Sequence, residues 1–485
     1  MKYVIALDEG TTSTRAVLYN IKSGKIEKVK NIPVKQHYPQ PSFVEESAPE
    51  IYSSTLAALI EIIETVGADN VVGIGVTNQR ETVVAWERSS GKPLYNAIIW
   101  QCRRTVDYCA SIEKEYGELI KSKTGLKVDA YFSASKMRWL IDNVPQVKSA
   151  LLKKDLCFGT IESYLIFKLT GGKSFVTDYT NASRTMLFNI NTLEWDDELL
   201  KVFDIPKHTL PTVKSPDSVF GEFEYGGKKI AIAGAAGDQQ AAAVGQGCFE
   251  SGSAKITYGT GMFMLANIGS KIKHSRSLVT TLGYGLNGPV YMFEGSVFNS
   301  GSAVQWLRDG LEFFKRSKDS EKLATSVASS NGVYVVSAFT GLGAPYWKGD
   351  ATGLITGITR GTTKAHITRA VLEGMAYSAR EIVDIMQEEG EISLDSLRVD
   401  GGASQNNFLM QFQADICNIK VDRPIEREST ALGAAYLCMI ALGIKSASEI
   451  AIARKSERIF SPQMDNAERE QLYNGYKNAV KRCIL

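Results

Sequence analysis

The sequence predicts an α/β protein with at least two layered domains. Three observations carry this: strand-like and helix-like stretches alternate along the chain, 485 residues are too many for one hydrophobic core, and a glycine- and hydroxyl-rich turn near the start is echoed past the midpoint. Residues 3–7, 16–19, 71–76, 230–233, 254–257 and 397–399 are short apolar runs of strand length. Residues 49–66 and 366–388 carry apolar positions at helical spacing and are too long for strands.

Composition excludes several function classes. Lys plus Arg total 55 against 53 for Asp plus Glu, so no basic field invites nucleic acid or an acidic membrane surface. Seven cysteines without a C-x-x-C pair, and a Met1 that leads directly into a strand rather than a signal segment, predict a reduced, cytoplasmic protein. No apolar run approaches the ~20 residues of a membrane helix. No Pro/Gly/Ser linker separates the domains, which should therefore be closely joined.

The echo pairs Leu7-Asp8-Glu9-Gly10-Thr11-Thr12 with Tyr258-Gly259-Thr260-Gly261, each following an apolar strand. Two such halves facing each other would line opposite walls of one cleft, which divides the chain into residues 1–245 and 246–485, with the closing helix free to pack back on the first half.

The first turn suits an anion. Gly10 lets backbone amides approach it, Thr11, Thr12 and Ser13 add hydroxyls, and Arg15 adds a fixed cation. Asp8 would be tolerated beside phosphate only with a cation such as Mg²⁺ between them. An ordinary β-hairpin turn accounts for these residues about equally well. Two other glycine motifs fail. Gly171-Gly172-Lys173-Ser174 ends like a P-loop but has Phe167 where the first glycine is required, and the run from Gly73 to Asn78 lacks the last glycine of a dinucleotide fingerprint. The four histidines are isolated, which disfavours zinc. The segment Asp400-Gly401-Gly402-Ala403-Ser404-Gln405-Asn406 lies between a strand and a helix and suits either a tight turn or a nucleotide surface.

Asp238 stands alone in a run of glycine, alanine and glutamine at a helix start. It could cap the helix or act as a general base toward a substrate hydroxyl; spacing alone favours the cap. Thr77-Asn78-Gln79-Arg80-Glu81-Thr82 follows a strand, where open α/β sheets bind ligands, and Arg80 beside Glu81 offers donors and an acceptor to neighbouring hydroxyls. An exposed loop ion pair is the plainer reading of those two residues. Trp100 could supply an apolar wall, although core packing explains it as readily.

Taken together, these segments resemble the FGGY family of carbohydrate kinases. The resemblance spans nearly the whole chain and rests on LDEGTTSTRA, GVTNQRET, NAIIWQCRRT, DAYFSASKMRWLIDN, TDYTNASRTMLFNI, GDQQAAAVGQ, TYGTGMF, QWLRDG, GLGAPYW, VDGGASQNNFLMQFQADI and TALGAAYL. Residues 131–143 and 353–373 fit the two general family patterns, while NQRE, IWQCRR and GLGAPYW are particular to the members that phosphorylate glycerol.

The resemblance implies two actin/Hsp70-like (ribonuclease H-like) ATPase domains with ATP and Mg²⁺ in the cleft between them. Arg80, Glu81, Tyr131, Asp238 and Gln239 would bind glycerol, with Trp100 and Phe263 against its carbons. Asp238 would be the catalytic base, which overturns the cap as its sole role. Thr11, Thr12, Ser13 and Arg15 would hold phosphates from one wall, Thr260, Gly301, Gln305, Gly402 and Asn406 would hold nucleotide from the other, and Asp8 would face the metal. The implied reaction transfers the ATP γ-phosphoryl group to glycerol, giving sn-glycerol 3-phosphate, in a homo-oligomer with a dimer favoured. A family member acting on another polyol or a ketose, and a non-catalytic actin-like ATPase, are the alternatives. Glu9 departs from the family's usual Gln, and residues 348–353 depart from its usual Asp and Arg. The segment 220–229 lacks the Gly-Gly-Thr-Arg loop of relatives regulated by fructose 1,6-bisphosphate, so that inhibition is expected to be weak or absent.

Overall fold

The computed structural model describes residues 1–285 and 288–485. Its first sheet contains β1 (Tyr3–Glu9), β2 (Ser13–Asn20), β3 (Lys25–Pro33), β4 (Val71–Asn78), β5 (Val219–Tyr225) and β6 (Lys228–Gly237), in the order β5-β6-β4-β1-β2-β3. The apolar runs read from the sequence become β1, β2, β4 and β6 because each is largely buried on both faces: Tyr3 to Glu9 are all buried. β1 pairs antiparallel with β2 and parallel with β4, and β4 pairs parallel with β6. Residues 219–237 form a hairpin joining β5 to β6, and Gly226 (φ 58°) with Gly227 (φ 77°) supplies the two left-handed residues of its tight turn.

The second sheet repeats this plan. It contains β7 (Ala254–Tyr258), β8 (Met262–Gly269), β9 (Val279–Leu282), β10 (Tyr291–Val297), β11 (Ser396–Gly401), β12 (Lys420–Pro424) and β13 (Ser456–Phe460), in the order β9-β10-β8-β7-β11-β12-β13. β7 pairs antiparallel with β8 and parallel with β11, as β1 does with β2 and β4. The echo between the two turns is therefore a repeat of topology, with each turn joining the first hairpin of its sheet.

The helices follow the sequence expectation closely: α1 spans Ala48–Val66, capped by the Ser47 side chain on the Glu50 amide, and α3 spans Lys364–Gly390. Between them in the chain lies α2 (Asp238–Gly245), which follows β6. Beyond α3 come α4 (Asn407–Cys417), α5 (Ser429–Ala441) and α6 (Asn466–Cys483). The helix that returns to the first sheet is α5, not the closing helix. Its Ala431, Ala434, Ala435 and Cys438 share a core with Val4, Ala6 and Val17 of the first sheet, whereas Tyr473 and Tyr476 of α6 pack in the core of the second. Small residues bring α5 against α2 with almost no separation. A Cβ at Gly433 would lie 1.7 Å from the Ala241 carbonyl oxygen, and one at Gly245 would lie 1.9 Å from that of Ser429. Among the described residues, no helix is long and apolar enough to cross a membrane.

Candidate active site

Parallel strands place the chemistry-bearing residues at one end of each sheet. In the first sheet Asp8 is level with Thr77, and Glu9 and Gly237 are both level with Asn78, so the turns after β1, β4 and β6 emerge side by side. In the second, Thr257 is level with Asp400 and Tyr258 with Gly401, which brings the turns after β7 and β11 together.

The turn after β1 is the tip of a hairpin, with Gly10 N–H donating to the Ser13 carbonyl at 2.9 Å, and Thr12 at its apex is exposed. Thr11 Oγ1 accepts from Trp100 Nε1 at 3.0 Å, so the two residues share one wall. Arg15 stands opposite Asp8 on β2 and pairs with it, and its other Nη donates to Glu428 at 2.6 Å. Burial pushes the Asp8 carboxyl above its ordinary range, and the Arg15 charge opposes that shift.

On the facing side, the Gly301 amide donates to Gly259 O at 3.0 Å and the Ser300 amide to Thr260 O at 3.0 Å, so the Thr260 turn is stitched to the start of the helix carrying Gly301 and Gln305. A Cβ on Gly301 would lie 2.4 Å from that Gly259 oxygen; a Cβ on Gly402 would meet nothing within 4 Å. Gly402 leaves an open cradle, whereas Gly301 is fixed by its protein neighbours. Asn406 is partly committed: its Oδ1 caps α4 on the Leu409 amide at 3.0 Å, and its Nδ2 donates to Ser320 at 3.4 Å.

Arg80 and Glu81 are not an exposed loop pair. Both side chains are buried, and Glu81 holds a left-handed backbone (φ 64°), a conformation a non-glycine residue keeps only where its surroundings impose it. Arg80 Nε lies 3.3 Å from Asp238 Oδ1 and 3.9 Å from Glu81 Oε1. Burial pushes the Glu81 carboxyl up, against the pull of Arg184 and Arg80. Tyr131 meets Trp100 edge-to-face with ring centres 5.8 Å apart, and its hydroxyl is pushed upward by burial and then by Glu81. Phe263, half-buried on β8, is level with Thr257 of β7.

Asp238 is the first residue of α2 rather than its cap. β6 continues to Gly237, which takes the cap position, and the Asp238 carboxylate accepts the Gln239 amide at 2.7 Å. Its side chain is 34% exposed, unlike the acids around it. Gln239 Nε2 donates to Asp238 Oδ2 at 3.3 Å, while Gln239 Oε1 accepts from the buried Lys255 Nζ at 2.5 Å.

The sequence reading missed several residues of this cluster. Arg184 donates to Glu81 at 2.6 Å, Gln240 accepts from Arg80 at 3.2 Å, and Glu294 accepts from both Arg80 and Arg184. The signal was present: Glu294 is the sole charge in the apolar run Tyr291–Val297, and Lys255 interrupts Ala254–Tyr258. A charge inside a buried strand requires a partner.

No group of three or more metal-type side chains occurs among the described residues. Asp8 and Asp238 lie near enough to act on one another electrostatically. Such a sparse donor set fits Mg²⁺, which takes one or two carboxylates and otherwise uses water and substrate phosphates, and does not fit a dedicated protein cage.

Residues 3–245 match the N-terminal domain, and residues 254–442 the C-terminal domain, of the FGGY family of carbohydrate kinases. The chain is similar to the glycerol kinase of Geobacillus sp. (strain WCH70), at 51% identity over 100% of this chain and 99% of that one. To the glycerol kinase of Thermococcus kodakarensis it is 52% identical, over 100% and 97%. Among solved structures, Plasmodium falciparum glycerol kinase with ADP superposes with TM-score 0.94 at 37% identity, over 100% and 99%. Xylulose kinase from Lactobacillus acidophilus, at TM-score 0.89 and 23% identity over 99% and 98%, shares the fold.

Proposed function

Because the chain belongs to the FGGY family of carbohydrate kinases, with two actin/Hsp70-like domains, we propose that it transfers the γ-phosphoryl group of ATP to glycerol, giving sn-glycerol 3-phosphate and ADP. The observation that carries this reading is Asp238, a partly open carboxylate 3.3 Å from the buried Arg80 guanidinium at the end of the sheet where the turns converge.

In this mechanism Arg80, Glu81, Tyr131 and Gln239 orient the hydroxyls, and Trp100 and Phe263 flank the carbon chain. Arg80 Nε holds the Asp238 carboxylate at 3.3 Å, and Asp238 accepts the proton of the terminal hydroxyl as its oxygen attacks phosphorus. Thr11, Thr12, Ser13 and Arg15 hold phosphates from the first domain, and Thr260, Gly301, Gln305, Gly402 and Asn406 hold nucleotide from the second. Mg²⁺, faced by Asp8, would offset the charge on the phosphates. Positioning and charge neutralisation supply most of the rate, and closing the two walls excludes competing water. We further propose that it works in the cytoplasm as a homo-oligomer, with a dimer favoured.

A coupled ADP-release assay over glycerol, dihydroxyacetone, xylulose and ribulose tests the reading. Glycerol should give the highest kcat/KM by at least tenfold; a ketose that exceeds it would replace glycerol as the substrate.

A further inference from the structure

We propose that Glu294 of the second domain is a positioning residue for the glycerol site, acting through Arg80 and Arg184, so that the pocket is completed only when both domains contribute. This rests on the glycerol reading above. Glu294 lies on β10 in the second sheet, whereas Arg80 follows β4 of the first. Its Oε2 accepts from Arg80 Nη1 at 2.5 Å, and its Oε1 accepts from Arg80 Nη2 at 3.1 Å and from Arg184 Nη2 at 2.9 Å. Arg184 in turn donates its Nε to Glu81 at 2.6 Å. One carboxylate from the second domain thus sets the angle of two of the residues that would meet the polyol: Arg80 directly, and Glu81 through Arg184.

The geometry is selective. A carboxylate engages a guanidinium as a two-pronged fork, and this one takes both Nη atoms of Arg80. The Nε edge is left toward Asp238, at 3.3 Å, and Glu81, at 3.9 Å, which is the edge a hydroxyl must share with the base. Without Glu294 the fork could rotate about its last bonds, and Gln240, at 3.2 Å from Nη1, would be the remaining acceptor on that side. The pair is fully buried, with Glu294 at 0% and Arg80 at 2% side-chain exposure, so no water competes for these contacts. Burial opposes ionisation of Glu294, but Arg184 and Arg80 outweigh it and hold the carboxyl down to about 2. Glu294 is therefore an anion throughout the working range. Ser296, 3.5 Å from Oε1, is the remaining neighbour on its own strand.

The test compares Glu294→Gln and Glu294→Asp with wild type by calorimetric glycerol titration, steady-state kinetics and thermal melting. For Glu294→Gln the glycerol Kd and KM should rise at least tenfold while the KM for ATP changes less than twofold. Glu294→Asp, which keeps the charge but shortens the reach, should recover part of that loss. A purely structural residue would lower the melting temperature without separating the two KM values. A folded Glu294→Gln protein with glycerol affinity within twofold of wild type overturns the proposal, and if that variant does not fold, Glu294→Asp with unchanged glycerol affinity does the same. Failure of the wild-type protein to phosphorylate glycerol would instead strike the substrate reading.

Discussion

Arg80 Nε lies 3.3 Å from Asp238 Oδ1, although the two residues are far apart in sequence and follow different strands of the first sheet. The contact joins the residue assigned to substrate hydroxyls to the residue assigned to their proton. It arises because β4 and β6 are parallel and end level, with Asn78 beside Gly237.

Replacing Arg80 with Lys keeps the charge but removes the fork. A lysine cannot hold both oxygens of Glu294 and also reach Asp238. The glycerol KM should rise by about tenfold or more, as expected for loss of charge-assisted hydrogen bonds worth roughly 1.5–3 kcal/mol. The KM for ATP should stay close to wild type. Initial-rate kinetics with each substrate varied separately checks this.

The contact between α2 and α5 predicts a stability effect away from the chemistry. In Gly433→Ala the new methyl would lie 1.7 Å from the Ala241 carbonyl oxygen, which belongs to backbone and cannot rotate aside. We expect a loss of about 1–3 kcal/mol from overpacking. Gly349→Ala, where the Cβ meets nothing within 4 Å, serves as the control and should melt within a degree or two of wild type. Equal melting temperatures for the two variants would refute the close approach.

Most of the fold was legible because strands buried on both faces leave continuous apolar runs, and β1, β4, β6 and β7 all appear that way in the sequence. The site was legible in pieces. Asp238 and the threonine turn could be found as local patterns, but their roles depended on family resemblance, since a turn or a helix start has the same local chemistry whether or not a ligand uses it. Glu294 and Arg184 were not picked out, because their meaning lies in a contact between residues 110 positions apart. Sequence spacing also favoured a helix cap at Asp238, whereas β6 continues past Ala233 to Gly237, which takes that place.

Glu381 on α3 gives the structure a pH-dependent stability. Burial pushes its carboxyl up to about 7; the hydrogen bond from Tyr346 opposes this, with Asp384 adding to the shift and Lys477 reducing it. The folded state therefore retains a proton that the unfolded chain has released above its ordinary value near 4.5. Stability from this group is fully present below that value and declines as pH rises toward about 7. Glu381→Gln preserves an acceptor for the Tyr346 hydroxyl and removes the titration. Its melting temperature relative to wild type should increase between pH 5 and pH 8; a constant difference across that range would contradict the assignment.

The most direct test of the central claim is the rate of glycerol phosphorylation by Asp238→Asn, with glycerol and ATP dissociation constants measured on the same preparation. Asparagine retains the size and one acceptor oxygen but cannot take the proton. The account predicts that kcat falls by about 10²–10⁴ while both ligands bind within a few-fold of wild type. A variant that binds both ligands and phosphorylates glycerol within a few-fold of the wild-type rate would show that Asp238 is not the base.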